Sequence, residues 1–249
     1  MAIPWQRFVA VGDSMTEGVG DPVPGGNLSG WADRLADALR TARGDLEYTN
    51  LARRGLRTEQ VREQQLDRAL ELRPDLASAL SGMNDLLEPS FDPARYEAEL
   101  SSIVAPLREA GAVVLTATYP DITVHSPLRG RLLSGVRRRL SRASEAVRAV
   151  SRRHGALCLD AESLPEAAER AVMSVDRLHP GPRGHLLVAQ AFARLLEDHT
   201  GVPMPSPAAG RDASKLLQAR WLLRQLDVRE VGRFVYRFYV SPNRRRSAS

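Results

Sequence analysis

The chain predicts an α/β fold in which a parallel sheet of five strands is covered by helices on both faces. Three observations carry this. Short apolar runs alternate with longer amphipathic segments over about the first 200 residues, each strand-like run stops at a turn signal, and 249 residues suffice for one sizeable core but not comfortably for two enzymatic domains. Right-handed crossovers then bring the carboxyl ends of all strands to one edge of the sheet, where ligands sit in folds of this kind.

Taken in order, Arg7 to Val11 is an apolar run that breaks at Gly12-Asp13-Ser14, giving strand, serine, loop. Asp21 to Gly30, rich in proline and glycine, is a loop, after which Trp31, Leu35 and Leu39, with Ala32 and Ala36, fall at helical spacing to about Arg43. Leu46 to Leu51 is the second strand. Thr58 to Leu72 is polar, yet Val61, Gln65 or Leu66, Ala69 and Leu72 share a face, and Pro74 closes the helix. Leu76 to Leu80 is rich in alanine and serine, which suits a strand buried on both faces, and it ends in Gly82-Met83-Asn84-Asp85. Pro93 to Ala110 is a helix with Leu100, Ile103, Val104 and Leu107 inward. Ala112 to Ala117 is a Val-Val-Leu strand that stops at Thr118-Tyr119-Pro120-Asp121. A basic helix over Leu128 to His154, a fifth strand over Ala156 to Leu159, and a helix over Pro182 to His199 complete the alternation.

Composition narrows the function. The single cysteine, Cys158, excludes a disulfide framework and a multi-thiolate metal site and suits a reducing compartment. Met1 to Arg7 has no leader-like pattern and nowhere do about 18 apolar residues run together, so the expectation is a cytoplasmic, soluble protein. The net charge is +5, but from Arg211 to Ser249 there are ten basic residues (nine Arg and Lys215) against three acidic ones, a net of +7 that leaves the body at −2. A nearly neutral body with a basic tail argues against nucleic acid as the partner.

Ser14 stands where a strand ends, and a serine hydroxyl becomes a nucleophile only when a base takes its proton and a third group orients that base. Among five histidines, His179 in Asp176-Arg177-Leu178-His179 is the candidate base, since a separation of three in a helix or turn puts carboxylate and imidazole on one side. Gly55 can bring a backbone N–H close to a ligand and Asn84 can offer an amide, which with the Ser14 N–H gives three donors for an oxyanion. Each piece alone reads equally as ordinary structure: a Gly-Asp-Ser turn, a capping aspartate beside a solvated histidine, a loop glycine, a turn asparagine. Their occurrence together, each after a different strand, is what points to acyl transfer.

The set Gly12-Asp13-Ser14-Met15, Asn50 through Gly55, Gly82-Met83-Asn84-Asp85 and Asp176-Arg177-Leu178-His179 resembles the four motif blocks of the GDSL or SGNH hydrolase family, with methionine at position 15 in place of the usual leucine. The resemblance implies a flavodoxin-like three-layer α/β/α sandwich with strand order 2-1-3-4-5. It implies Ser14 as nucleophile, His179 as general base and acid, Asp176 as the orienting carboxylate, and the Ser14 and Gly55 N–H groups and the Asn84 amide as the oxyanion hole. No cofactor or metal is called for. The glycine two residues after the serine that a nucleophile elbow requires is replaced by Thr16, which speaks against the larger α/β-hydrolase fold.

The hydrolase domain is expected over 1–202 and a linker over 203–210. A basic amphipathic extension over 211–249 follows, where Leu217, Trp221, Val228, Val231, Val235 and Phe238 form an apolar stripe and Arg220, Arg224, Arg233 and Arg237 a basic one. That extension packs on the body or a second subunit, or touches an anionic membrane surface or a partner protein, which would make the protein peripheral to the membrane. Three functions stay open: hydrolysis of a small-molecule or lipid ester, acyl transfer or cyclisation through the same acyl-serine, and a silent binding protein on the same fold. The site walls are expected in the loops 21–30, 84–91 and 119–129.

Overall fold

The computed structural model describes residues 3–125, 131–208 and 214–225. Five strands, β1 (Arg7–Gly12), β2 (Glu47–Asn50), β3 (Leu76–Leu80), β4 (Val113–Ala117) and β5 (Leu157–Leu159), form one all-parallel sheet in the order β2-β1-β3-β4-β5. In the register of this sheet Ala10 lies beside Asn50 and Ser78, and Gly12 beside Leu80. The strand order reverses between β1 and β3, and the crevice at their carboxyl ends receives Ser14 from one side and Gly82 from the other.

The alternation along β1 divides the core. Phe8 and Ala10 join Trp31, Leu35 and Leu39 of α2 (Trp31–Arg43) and Phe192 and Leu196 of α7 (Pro182–Thr200) on one face. Val9 and Val11 join Val61 of α3 (Thr58–Glu71), Leu100 and Ile103 of α5 (Pro93–Glu109) and Val147 of α6 (Arg131–His154) on the other. The Trp31 and Phe192 rings meet at 4.7 Å between centroids. Both faces of β3 are covered, which is why small residues serve there, and truncating a core leucine such as Leu35 to alanine costs about 2–5 kcal/mol.

Two helices replace segments that the sequence reads as loop and turn. Ser14 opens the one-turn α1 (Ser14–Glu17), because the Asp13 carboxylate accepts the Met15 N–H at 3.1 Å as an N-cap and Gly18 ends the turn in the left-handed conformation. Asn84 lies within α4 (Met83–Leu87). Both are too short to show a helical period. Between β5 and α7 the chain makes three 3₁₀ turns, Ala161–Ser163, Pro165–Ala168 and Arg170–Val172, with no counterpart in the predicted elements.

After α7 the chain stays on the body. Met204 N–H donates to the Glu197 carboxylate, the Pro207 carbonyl accepts from Gln190 and the Ala208 carbonyl from Arg34. A further helix, α8 (Lys215–Gln225), turns Gln218 and Trp221 inward and leaves Lys215, Leu216 and Arg220 exposed. The stripe positions Val228, Val231, Val235, Phe238, Arg233 and Arg237 lie outside the described residues. Among those described, no helix is long and apolar enough to cross a membrane.

Candidate active site

Gln65 fixes the end of β1. Its amide accepts the Gly12 N–H and donates to the Gly12 carbonyl, both at 2.9 Å, inside the core. A Cβ on Gly12 would come within 2.3 Å of the Leu80 carbonyl oxygen, so only glycine lets β1 pass this close to β3 before turning into α1. The same turn is tied to β3 by Asp13, whose second carboxylate oxygen accepts the Gly82 N–H at 3.3 Å. Burial pushes the Asp13 carboxyl up to about 6, against the backbone N–H groups of Met15 and Gly82 and the charge of His179.

His179 arrives on a tight turn rather than a helix. Met173 and Pro180 form an antiparallel bridge, the Ser174 N–H donates to the His179 carbonyl at 2.9 Å, and Arg177 takes the left-handed conformation with φ of 57°. One oxygen of Asp176 accepts the N–H groups of Leu178 and His179, at 2.9 and 3.0 Å, and so builds the turn. The other lies 2.7 Å from His179 Nδ1, and His179 Nε2 lies 2.9 Å from Ser14 Oγ. A carboxylate on Nδ1 keeps the proton there and leaves the Nε2 lone pair facing the serine hydroxyl. Burial opposes ionisation of Asp176, but the hydrogen bond and charge of His179 and the two backbone N–H groups outweigh it and hold the carboxyl below its ordinary value.

The structure thus brings three of the five predicted site residues into one hydrogen-bonded chain. Asn84 is tied instead to Leu56, the residue that follows Gly55. The Asn84 amide donates to the Leu56 carbonyl at 2.9 Å, Asp85 accepts the Thr58 N–H at 2.9 Å, and Gly55 sits exposed with φ of 79°. No hydrogen bond among the described residues runs from Gly55 or Asn84 to Ser14. The segment carrying Gly55 is nevertheless attached to the serine's helix: Asn50 donates to the Thr16 carbonyl at 2.8 Å, and Arg54 binds Glu17.

Beside Ser14 and His179 opens a cavity of about 150 Å³. Its walls are mostly apolar, with Leu80, Met83, Leu159, Leu164, Val172 and Val188 among them. Alanines at the strand ends make the room: Ala79 in β3, Ala117 in β4 and Ala161 just after β5 all line it. The walls come from β-strand ends, the 3₁₀ turns, α7 and single residues of α4, α5 and α6 (Met83, Tyr96 and Val147), and not from residues 21–30 or 84–91; of 119–129, Tyr119, Pro120 and Ile122 take part. Polar groups enter the lining too, among them Thr118, Glu166 and Arg194, and a pair of phenols, where the Tyr96 and Tyr119 hydroxyls lie 2.8 Å apart and both reach the Ser81 carbonyl. Burial pushes both phenols up, so they stay protonated. Neither tyrosine carries a sequence signal that separates it from a core aromatic. Among the described residues no three His, Cys, Asp or Glu side chains gather as a metal ion would need.

This geometry agrees with what the chain is similar to. The structure of LAE5, an alpha/beta hydrolase enzyme from the metagenome of Lake Arreo, superposes with a TM-score of 0.61 at 22% identity, covering 79% of this chain and 96% of that one. The psychrotrophic esterase EstA from Pseudoalteromonas sp. gives 0.61 at 18% identity, covering 79% and 100%. An acetylxylan esterase from Geobacillus stearothermophilus gives 0.60 at 21% identity, covering 79% and 96%. At these identities the likeness is one of fold. No curated protein matches the chain. The model of the GDSL-like lipase/acylhydrolase family matches residues 10–187 and so spans β1 through the first turns of α7, including Ser14, Asp176 and His179. The chain belongs to the GDSL-like lipase/acylhydrolase family.

Proposed function

We propose that the protein hydrolyses carboxylic esters of an apolar acyl group through an acyl-Ser14 intermediate. One observation carries the reading: the Asp176–His179–Ser14 hydrogen-bond chain opens directly onto an apolar cavity. Ser14 Oγ attacks the ester carbonyl carbon while its proton passes to His179 Nε2, and Asp176 stabilises the imidazolium. The oxyanion is met by the N–H groups of Ser14 and Gly55, neither of which is hydrogen-bonded to a described residue, and by the second amide N–H of Asn84, whose first is held by Leu56. Collapse breaks the bond to the alcohol, which leaves with the proton from His179. Water then attacks the acyl-serine, gives its proton to His179, and releases the acid as Ser14 recovers its own.

The cavity selects the acyl half. A volume of about 150 Å³ holds on the order of ten water-sized groups, so an apolar chain of roughly six to ten carbons fits it. The alcohol is left to the open side of Ser14. Ser14→Ala, checked by circular dichroism for an unchanged fold, should lower turnover of p-nitrophenyl octanoate by at least about 10⁴-fold. Turnover retained in that variant would remove Ser14 from the reaction.

A further inference from the structure

The helix α8 lies outside the span of the family match, which ends at residue 187, yet it reaches the neighbourhood of the site. Trp221 is its buried anchor, 6% exposed, and the indole N–H donates to the Gly26 carbonyl at 3.2 Å. The face of the same ring covers the Arg54 guanidinium at 4.8 Å from the centroid. Arg54 in turn holds Glu17 with its backbone N–H at 2.7 Å and with Nε and Nη2 at 2.9 and 2.7 Å. Glu17 closes the one-turn helix that Ser14 opens, and Arg54 directly precedes Gly55. A single contact chain therefore runs from the C-terminal helix through Arg54 to both the serine's helix and the segment that carries Gly55.

We propose that Trp221 is a positioning residue of the active site: by stacking on Arg54 it holds the forked Arg54–Glu17 pair, and with it the separation of the Gly55 N–H from Ser14. The proposal rests on the ester-hydrolase reading, and specifically on Gly55 as an oxyanion donor. Three features favour it over simple surface packing. The Arg54–Glu17 pair is half exposed, with side chains 39% and 24% accessible, so water competes for it and an indole lid matters to its geometry. The fork needs the guanidinium plane fixed, and ring stacking fixes that plane. Gly55 has a left-handed φ, and a Cβ built on it would meet nothing within 4 Å, so no neighbouring group packs on that side of it.

The test uses the full chain and p-nitrophenyl acetate, which does not depend on the acyl cavity. Trp221→Ala should lower kcat about tenfold or more while KM stays within about twofold, because a donor displaced by a fraction of an ångström weakens the transition state and not the bound ester. Trp221→Phe keeps a ring face over Arg54 and loses the N–H to Gly26; it should restore kcat to within about threefold of the parent. Arg54→Ala leaves the α8 anchor intact and should cost the same as Trp221→Ala, and the double variant no more than either alone. An unchanged kcat in Arg54→Ala, a loss in Trp221→Ala that the phenylalanine variant fails to recover, or losses that multiply in the double variant would each overturn the proposal. Turnover that survives Ser14→Ala would instead overturn the ester-hydrolase reading.

Discussion

His185 donates its Nε2 proton to the Val19 carbonyl oxygen at 3.0 Å, while its Nδ1 accepts the Trp31 N–H at 3.2 Å. Both ring nitrogens are thus committed in the neutral form, and the histidine staples the segment after α1 and the start of α2 to α7. Burial pushes its pKa down to about 4, against the hydrogen bond to Val19. An unfolded histidine titrates near 6.5. Stability from this group is therefore present in full above about 6.5 and is lost as pH falls through about 4, a swing of about 3 kcal/mol. Asp13 acts in the opposite sense, since its raised pKa favours the fold in acid and that contribution is lost as pH rises through about 6. The two offset each other in the parent, so a difference measurement is needed. Thermal melts of the parent and of His185→Gln at pH 7.5 and 4.5 should show the parent's relative Tm falling by roughly 5–10 °C at the lower pH. A pH-independent difference would contradict the assignment.

Asp176 is the second test, because its two oxygens do different jobs. In Asp176→Asn the amide oxygen can still accept the Leu178 and His179 N–H groups, so the turn should survive. The amide nitrogen now faces His179 Nδ1, which forces the proton to Nε2 and removes the lone pair from Ser14. Steady-state kinetics at neutral pH should show kcat reduced about 10³- to 10⁴-fold with Tm changed by only a few degrees. A loss of less than tenfold would mean that His179 does not depend on this carboxylate.

The cavity makes a prediction about chain length. Along a series of p-nitrophenyl esters from acetate to dodecanoate, kcat/KM should rise about three- to fourfold per methylene while the chain still finds apolar wall, then fall beyond roughly ten carbons. Ala161 lines the cavity and is 7% exposed, so Ala161→Leu fills space that is otherwise empty. Its optimum should shift by about three carbons toward shorter esters, with the acetate rate within about threefold of the parent. The same optimum in both proteins would place the acyl chain elsewhere.

How much of this was legible in the sequence follows from the length scale of each signal. The sheet was, since β1, β3 and β4 are apolar runs that each stop at a glycine or polar residue, and α2, α5 and α7 are long enough to show a helical stripe. Ser14 was legible because it stands next to such a stop, and Asp176 and His179 because they lie three residues apart. The helices α1 and α4, with four and five residues, carry less than two turns and have no period to read. The spacing puts Gln65 or Leu66 on the inward face of α3, but it does not report that the buried Gln65 fixes Gly12. The cavity left little trace beyond the segment 119–129: Ala117 and Ala161 matter for the side chains they lack, and the walls from Leu164 and Val172 come from a run of 3₁₀ turns without pattern. The Trp221–Arg54 contact joins positions 167 residues apart, beyond anything local spacing reports.

Covalent capture reads out the proposed activation of Ser14 by His179. The protein is incubated with a fluorophosphonate at neutral pH and digested, and the modified peptide is sequenced by mass spectrometry. A single adduct on Ser14 is expected in the parent and none at matched concentration and time in folded His179→Ala. Labelling of another residue, or equal labelling of Ser14 without His179, would contradict it.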